Sequence, residues 1–135
     1  MDDKTYAGSC LCGAVRFEFR GPPSAFRYCH CSRCRKATGS AHAANLLIPA
    51  DQFTWCAGEE RVKRYDLPHA QRFAVWFCPE CGTRVPHKVR ERGDYLVPAG
   101  AVDTPLEARP DRNIFWASKA QWCVGPDEIP KRDEY

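Results

Sequence analysis

The chain has no apolar run approaching the ~20 residues that a membrane-spanning helix needs. It also has no biased linker, no internal repeat and no low-complexity tract; its nine Gly and eleven Pro are scattered over 135 residues. The first ten residues, MDDKTYAGSC, are polar and charged and lack the apolar stretch of a secretion signal. These absences argue against a membrane protein, a repeat array and a secreted protein. They predict one soluble, cytoplasmic domain over residues 1–135. An even cysteine count is missing as well. Nine thiols without a secretion signal suit metal binding better than a disulfide framework.

What is present is enough for a core: 44% of the residues are hydrophobic and 12% aromatic, so the chain can fold without disulfides. The formal net charge is +3. Seven clustered thiolates with two Zn²⁺ ions would cancel it, so the basicity argues only weakly for nucleic acid, although a local basic patch could remain.

Short strands dominate the pattern. AVRFEF (14–19) alternates Val15, Phe17 and Phe19 with Arg16 and Glu18, a period of two. AHAANLLIPA (41–50) reads as a largely buried strand. RVKRYDL (61–67), RFAVWFC (72–78), TRVPHKV (83–89) and DYLVPAG (94–100) complete the candidates, with Pro86 and Pro98 at edges or strand ends. Ser32 is placed to N-cap a short helix through RCRKAT that stops at Gly39, and ASKAQWC (117–123) is a second helix candidate. The class is mainly β, or β-rich α+β.

Seven cysteines fall into three clusters. Cys78-Pro79-Glu80-Cys81-Gly82 has the spacing of a zinc knuckle, with a trailing Gly free to take positive φ. Cys10-Leu11-Cys12-Gly13 is a half-site of the same kind, because residues i and i+2 of an extended segment face one side. Together Cys10, Cys12, Cys78 and Cys81 make a closed four-thiolate zinc site. The plainer alternative is one knuckle plus unrelated buried thiols. The third cluster, Cys29-His30-Cys31-Ser32-Arg33-Cys34, offers three thiolates to one ion and leads into a helix. The start of that helix, with Arg33, Arg35 and Lys36, favours thiolates. Three protein ligands and an open fourth position suit a reactive zinc. The competing reading takes a fourth ligand from Cys56, Cys123, His30 or His42.

His30 lies between two ligands and is expected to point away from the metal. His42 begins a strand candidate and could line the site or simply pack. Cys56 and Cys123 default to small buried residues. The RCRK charges also fit a plain solvated helix face.

GSCLCGAVRFEF, YCHCSRCRKATGS, FCPECGT, GAVDTP and IFWASKAQW together resemble, in order, the blocks of the glutathione-dependent formaldehyde-activating enzyme family, from about Gly8 to Trp122. The resemblance implies a β-tent fold, shared with methionine sulfoxide reductase B and a Rab-binding zinc protein. It implies two zinc ions: a closed site on Cys10, Cys12, Cys78 and Cys81, and a reactive site on Cys29, Cys31 and Cys34. It also implies condensation of glutathione with formaldehyde to S-(hydroxymethyl)glutathione, formally carbon–sulfur lyase chemistry.

That chemistry suits the residues. A thiol of pKa near 8.5 is mostly protonated at neutral pH, and a cation beside it makes the reactive thiolate. Arg33, Arg35, Lys36 and Arg84 are candidates for the tripeptide's carboxylates. His30 or His42 could return a proton to the new alkoxide. The alternative from another class is a non-catalytic zinc module for protein or nucleic acid, suggested by RCRK and by Trp55, Trp76, Phe115, Trp116 and Trp122. A sulfoxide-reductase reading is weaker, because Cys56 and Cys123 lack activating neighbours.

Overall fold

A computed structural model describes residues 4–135. Its ten strands are β1 (Thr5–Ser9), β2 (Arg16–Arg20), β3 (Ala25–Cys29), β4 (Ala43–Ile48), β5 (Phe53–Ala57), β6 (Lys63–Asp66), β7 (Ala74–Phe77), β8 (His87–Lys88), β9 (Tyr95–Pro98) and β10 (Arg112–Ile114). The α-helix among the described residues is α1 (Ser32–Thr38); the remaining helical pieces are 3₁₀ turns of three residues. The chain is mainly β, as its sequence pattern indicates.

The strands form three sheets. β1-β2-β5 is antiparallel, β10-β3-β4-β9-β8 has five strands, and β6-β7 is a hairpin. Among the described strands only β10 runs parallel to its neighbour, setting Ile114 opposite Cys29. β2 gives the clearest link from pattern to packing. Phe17 and Phe19 are each 1% exposed, while Arg16, Glu18 and Arg20 face water. The two phenylalanines meet Tyr6, Phe26, Leu46, Ile48, Phe53 and Val97 in the main core. Tyr6 stacks on Phe19 at 5.1 Å, and Phe53 on Tyr95 at 4.0 Å. Burying each such ring contributes roughly 1.5–3 kcal/mol, so this cluster joins the first two sheets firmly.

The observed elements depart from the sequence reading in four respects. β1, β3, β5 and β10 are strands that the alternation does not single out. β1, β3 and β5 mix small and aromatic residues rather than alternating cleanly, and β10 is only three residues long. TRVPHKV shortens to the two residues of β8, plus an isolated bridge from Arg84 to Phe77. The cap of α1 is Cys31 rather than Ser32: its sulfur accepts the Cys34 amide at 3.3 Å, which makes Ser32 the first helical residue. Gly39 closes the helix in the left-handed region at φ 64°, as expected. ASKAQWC forms no α-helix. Phe115 takes φ 55° and a single 3₁₀ turn, Trp116–Ser118, follows. Phe115, Trp116 and Trp122 are exposed, whereas Trp55 and Trp76 are half-buried. No helix of the described residues is long and apolar enough to cross a membrane.

Candidate metal centres and the cavity beside them

The first centre is assembled by two turns. After β1 the Gly13 amide donates to the Cys10 carbonyl at 3.0 Å, and the Val15 amide donates to Cys10 Sγ at 3.2 Å. After β7 the Gly82 amide donates to the Cys78 carbonyl at 2.7 Å. Gly13 and Gly82 take φ of 82° and 78°, conformations that any other residue adopts with strain. Thr83 joins the two turns. Its Oγ1 accepts the Leu11 amide at 3.0 Å and lies 3.3 Å from Cys81 Sγ. Val15 and Val85 pack behind, with Cys10 and Cys78 buried among them.

The result brings the sulfurs of Cys10, Cys12, Cys78 and Cys81 within 4.8 Å of one another. A tetrahedral zinc with Zn–S bonds of ~2.3 Å needs sulfurs ~3.8 Å apart. The Cys10–Cys12 and Cys12–Cys78 separations are 3.7 and 3.8 Å. The donor set therefore fits that ion. Electrostatics point the same way. The hydroxyl and amide of Thr83 hold the Cys81 thiol down to about 5. At Cys12 the Ala14 amide lowers the value, yet desolvation and the three neighbouring sulfurs carry it up to about 11. Four thiolates at contact distance need a cation among them.

The second centre sits where β3 runs into α1. Cys29 ends the strand, Cys31 caps the helix, and Cys34 lies one turn on. Their sulfurs also lie within 4.8 Å of one another, and no fourth metal-ligating side chain joins them among the described residues. Cys56, Cys123, His30 and His42 thus stand outside the group. Desolvation pushes the Cys34 thiol well above its ordinary value, and the sulfurs of Cys29 and Cys31 add to this. At Cys31 desolvation raises the value, but hydrogen bonds from the Cys34 amide, the sulfurs of Cys34 and Cys29 and the Arg33 amide together outweigh it, and the thiol falls below its ordinary value. This set too could hold a metal, with room for an outside ligand.

The three sulfurs open onto a cavity of about 730 Å³. Arg33, Arg72, Arg84 and His87 line it, beside apolar Phe73 and Ile114, and no carboxylate of the described residues does. Arg84 lies close enough to Cys34 to feel its charge. Desolvation lowers its pKa, and the charge of Cys34 works against that effect. Arg35 and Lys36 lie on another face of α1, in a small cleft with Ser40 and Trp122.

The histidines divide unexpectedly. His30 is 1% exposed; its Nε2 is 2.8 Å from Asn113 Oδ1, and its buried Nδ1 has no partner. It packs against His42 at 5.0 Å and Trp116 at 4.9 Å. His42 stacks on Tyr28 at 4.0 Å. Neither lines the cavity of the three cysteines; His87 and His69 do. Nothing in the sequence around His87 marks it. Its ring stacks on Trp76 at 4.0 Å and 8°. Burial, with the charges of Arg84 and Arg64, pulls its pKa down to about 4, so it is neutral at pH 7.

Residues 5–118 match the family model described as glutathione-dependent formaldehyde-activating enzyme. A Halomonas elongata protein provisionally named as a glutathione-dependent formaldehyde-activating enzyme is 32% identical over 138 residues. That match covers 94% of this chain and 82% of the relative. The crystal structure of a Rhodobacter sphaeroides protein superposes with a TM-score of 0.58 at 25% identity, over 79% of this chain and 98% of that one.

Proposed function

The chain belongs to the glutathione-dependent formaldehyde-activating enzyme family, and on that premise we propose that it binds glutathione at Cys29, Cys31 and Cys34 and adds the thiol to formaldehyde or a similar small aldehyde. This is carbon–sulfur lyase-type chemistry with zinc as cofactor. Cys10, Cys12, Cys78 and Cys81 hold a second, structural zinc. The observation that carries the reading is the convergence of three sulfurs on a cavity whose charged walls are all cationic.

Zinc bound there would supply an acidified thiol, held as an electron-rich thiolate. Arg33 and Arg84, which line the cavity, would bind the tripeptide's carboxylates. Arg35 and Lys36 act only at long range, from the far side of α1. The reaction forms one S–C bond and converts the carbonyl π pair into an oxygen lone pair. The proton lost by the thiol ends on that oxygen, so no redox partner is needed. Of the proposed proton carriers, His30 and His42 sit outside the cavity lining and would act through Asn113 or a relay of water. His87 faces the cavity directly.

The exposed Phe115, Trp116 and Trp122 favour a second reading, a non-catalytic zinc module for protein or nucleic acid. Calorimetry on zinc-loaded protein separates the two. Glutathione is expected to bind with proton release, and S-methylglutathione, which keeps every charge but lacks the thiol, much more weakly. Equal affinities would remove sulfur from recognition. Salt-dependent binding of nucleic acid with no thiol binding would favour the module. Turnover must exceed the uncatalysed condensation and vanish in Cys31→Ser.

A further inference from the structure

A second cavity, of about 600 Å³, adjoins the first: Asn45 and Arg84 line both. Its other polar walls include Ser9 at the end of β1, Thr38 at the end of α1, Thr83 and Asp103. Asp103 belongs to the GAVDTP block, whose backbone is anchored on β1. The Asp103 amide donates to the Ala7 carbonyl at 2.7 Å, and the Ala7 amide to Thr104 Oγ1 at 3.0 Å. The carboxylate itself accepts only the Ser9 hydroxyl, at 2.7 Å, and forms no ion pair among the described residues. Arg84 likewise has no carboxylate partner among them. Two opposite charges thus line one cavity without pairing in the protein. Among the described residues Asp103 is the sole carboxylate lining its cavity, and none lines the three-cysteine cavity.

An unpaired anion and cation lining one cavity suit a ligand that carries both charges. An α-amino-acid end group does so on a single carbon. We infer that the second cavity holds the amino-acid end of the thiol substrate, with Asp103 taking the α-ammonium group and Arg84 the adjoining α-carboxylate. The proposal rests on the reading that the thiol sulfur lies at Cys29, Cys31 and Cys34. On that reading, a tripeptide with its thiol in the middle spans both cavities. The γ-glutamyl end of glutathione has the required charges, and the glycine carboxylate at the other end stays with Arg33.

The test uses the zinc-loaded full chain with glutathione and N-acetylglutathione, which keeps the thiol and both carboxylates but loses the ammonium charge. Wild-type protein is expected to bind the acetylated thiol about tenfold more weakly, in line with loss of one charge-assisted hydrogen bond. Asp103→Asn keeps an acceptor for Ser9 and should lose about tenfold for glutathione only, so that the two thiols become equal. Equal binding of both thiols by wild-type protein overturns the proposal without any variant. So does Asp103→Asn that weakens both thiols alike, or neither. If wild-type protein binds neither thiol, the thiol-site reading fails and the subsite fails with it. Binding of both thiols with no preference leaves that reading intact and removes the subsite alone.

Discussion

The two cysteine groups present the same donor atom at the same spacing, yet the chain holds them in different ways. The four-sulfur group draws on segments far apart in sequence, after β1 and after β7, braced by two glycine turns and by Thr83. Cys10 and Cys78 are also part of a small core with Val15 and Val85. The three-sulfur group comes from six consecutive residues, organised by β3 and the first turn of α1. Its sulfurs face a cavity rather than a second turn of chain. A metal in the first group would cross-link the fold. A metal in the second would sit on a surface the fold has already made. Donor type alone therefore does not tell a structural site from a reactive one; what decides is how much of the chain's order depends on the ion.

The largest expected effect tests that contrast directly. Cys78→Ser removes a ligand that is 0% exposed and joins distant segments. Metal affinity at such a site is largely folding free energy, on the order of 10 kcal/mol. The variant should be insoluble or loosely packed, with lost near-UV circular dichroism. Cys31→Ser should remain folded and keep close to one zinc per chain where wild-type protein keeps close to two. If Cys31→Ser unfolds as badly as Cys78→Ser, both groups are structural and the contrast disappears.

The sequence made the two groups legible because ligand spacing is local. CxC-Gly, CxxC-Gly and CxCxxC each bring their sulfurs together through one turn, whatever surrounds them. The alternation in β2 was legible for the same reason. What stayed hidden depends on pairing between distant segments. β10 earns its strand geometry from β3, a partner some eighty residues away in the chain. His87 reaches the cavity because β8 pairs with β9, which pairs with β4 beside the cysteines. His30 and His42 are near the cysteines in sequence, but β3 and the following turn aim their rings at Tyr28 and Trp116 instead.

His87 sharpens the comparison from the cavity side, because it titrates without belonging to either cysteine group. Unfolded, it takes a proton near the ordinary value of 6.5; folded, only near 4. Between those values the unfolded chain holds more protons. Its contribution is therefore complete above about pH 6.5 and is lost as the pH falls toward 4. By pH 5 this amounts to a loss on the order of 2 kcal/mol. Urea denaturation of wild-type and His87→Gln protein at pH 7 and pH 5 should show wild-type losing that much more than the variant. Both proteins share all nine cysteines, so acid release of metal cancels in the difference. Parallel losses would mean that the imidazole is solvated and readily protonated in the folded chain.

The smallest effect concerns the brace itself. Thr83→Val keeps the shape of the side chain but removes the oxygen that accepts the Leu11 amide and neighbours Cys81 Sγ. Leu11 is 86% exposed, so water can replace the lost acceptor, and the cost should be only about 1 kcal/mol. The sulfur has no such replacement. Without the hydroxyl that lowers it, the Cys81 thiol should rise from about 5 toward the ordinary value, and protons should compete better for the metal site. A chelator should then extract the first zinc faster from Thr83→Val than from wild-type protein, with the gap widening as the pH falls from 7 to 6. Thr83→Ser, which restores the oxygen, should behave like wild-type. The zinc of the three-cysteine group should leave at the same rate in all three proteins, since Thr83 does not line its cavity. If extraction from that group also quickened, the two centres would be coupled through Arg84, which follows Thr83 in the chain and lines both cavities.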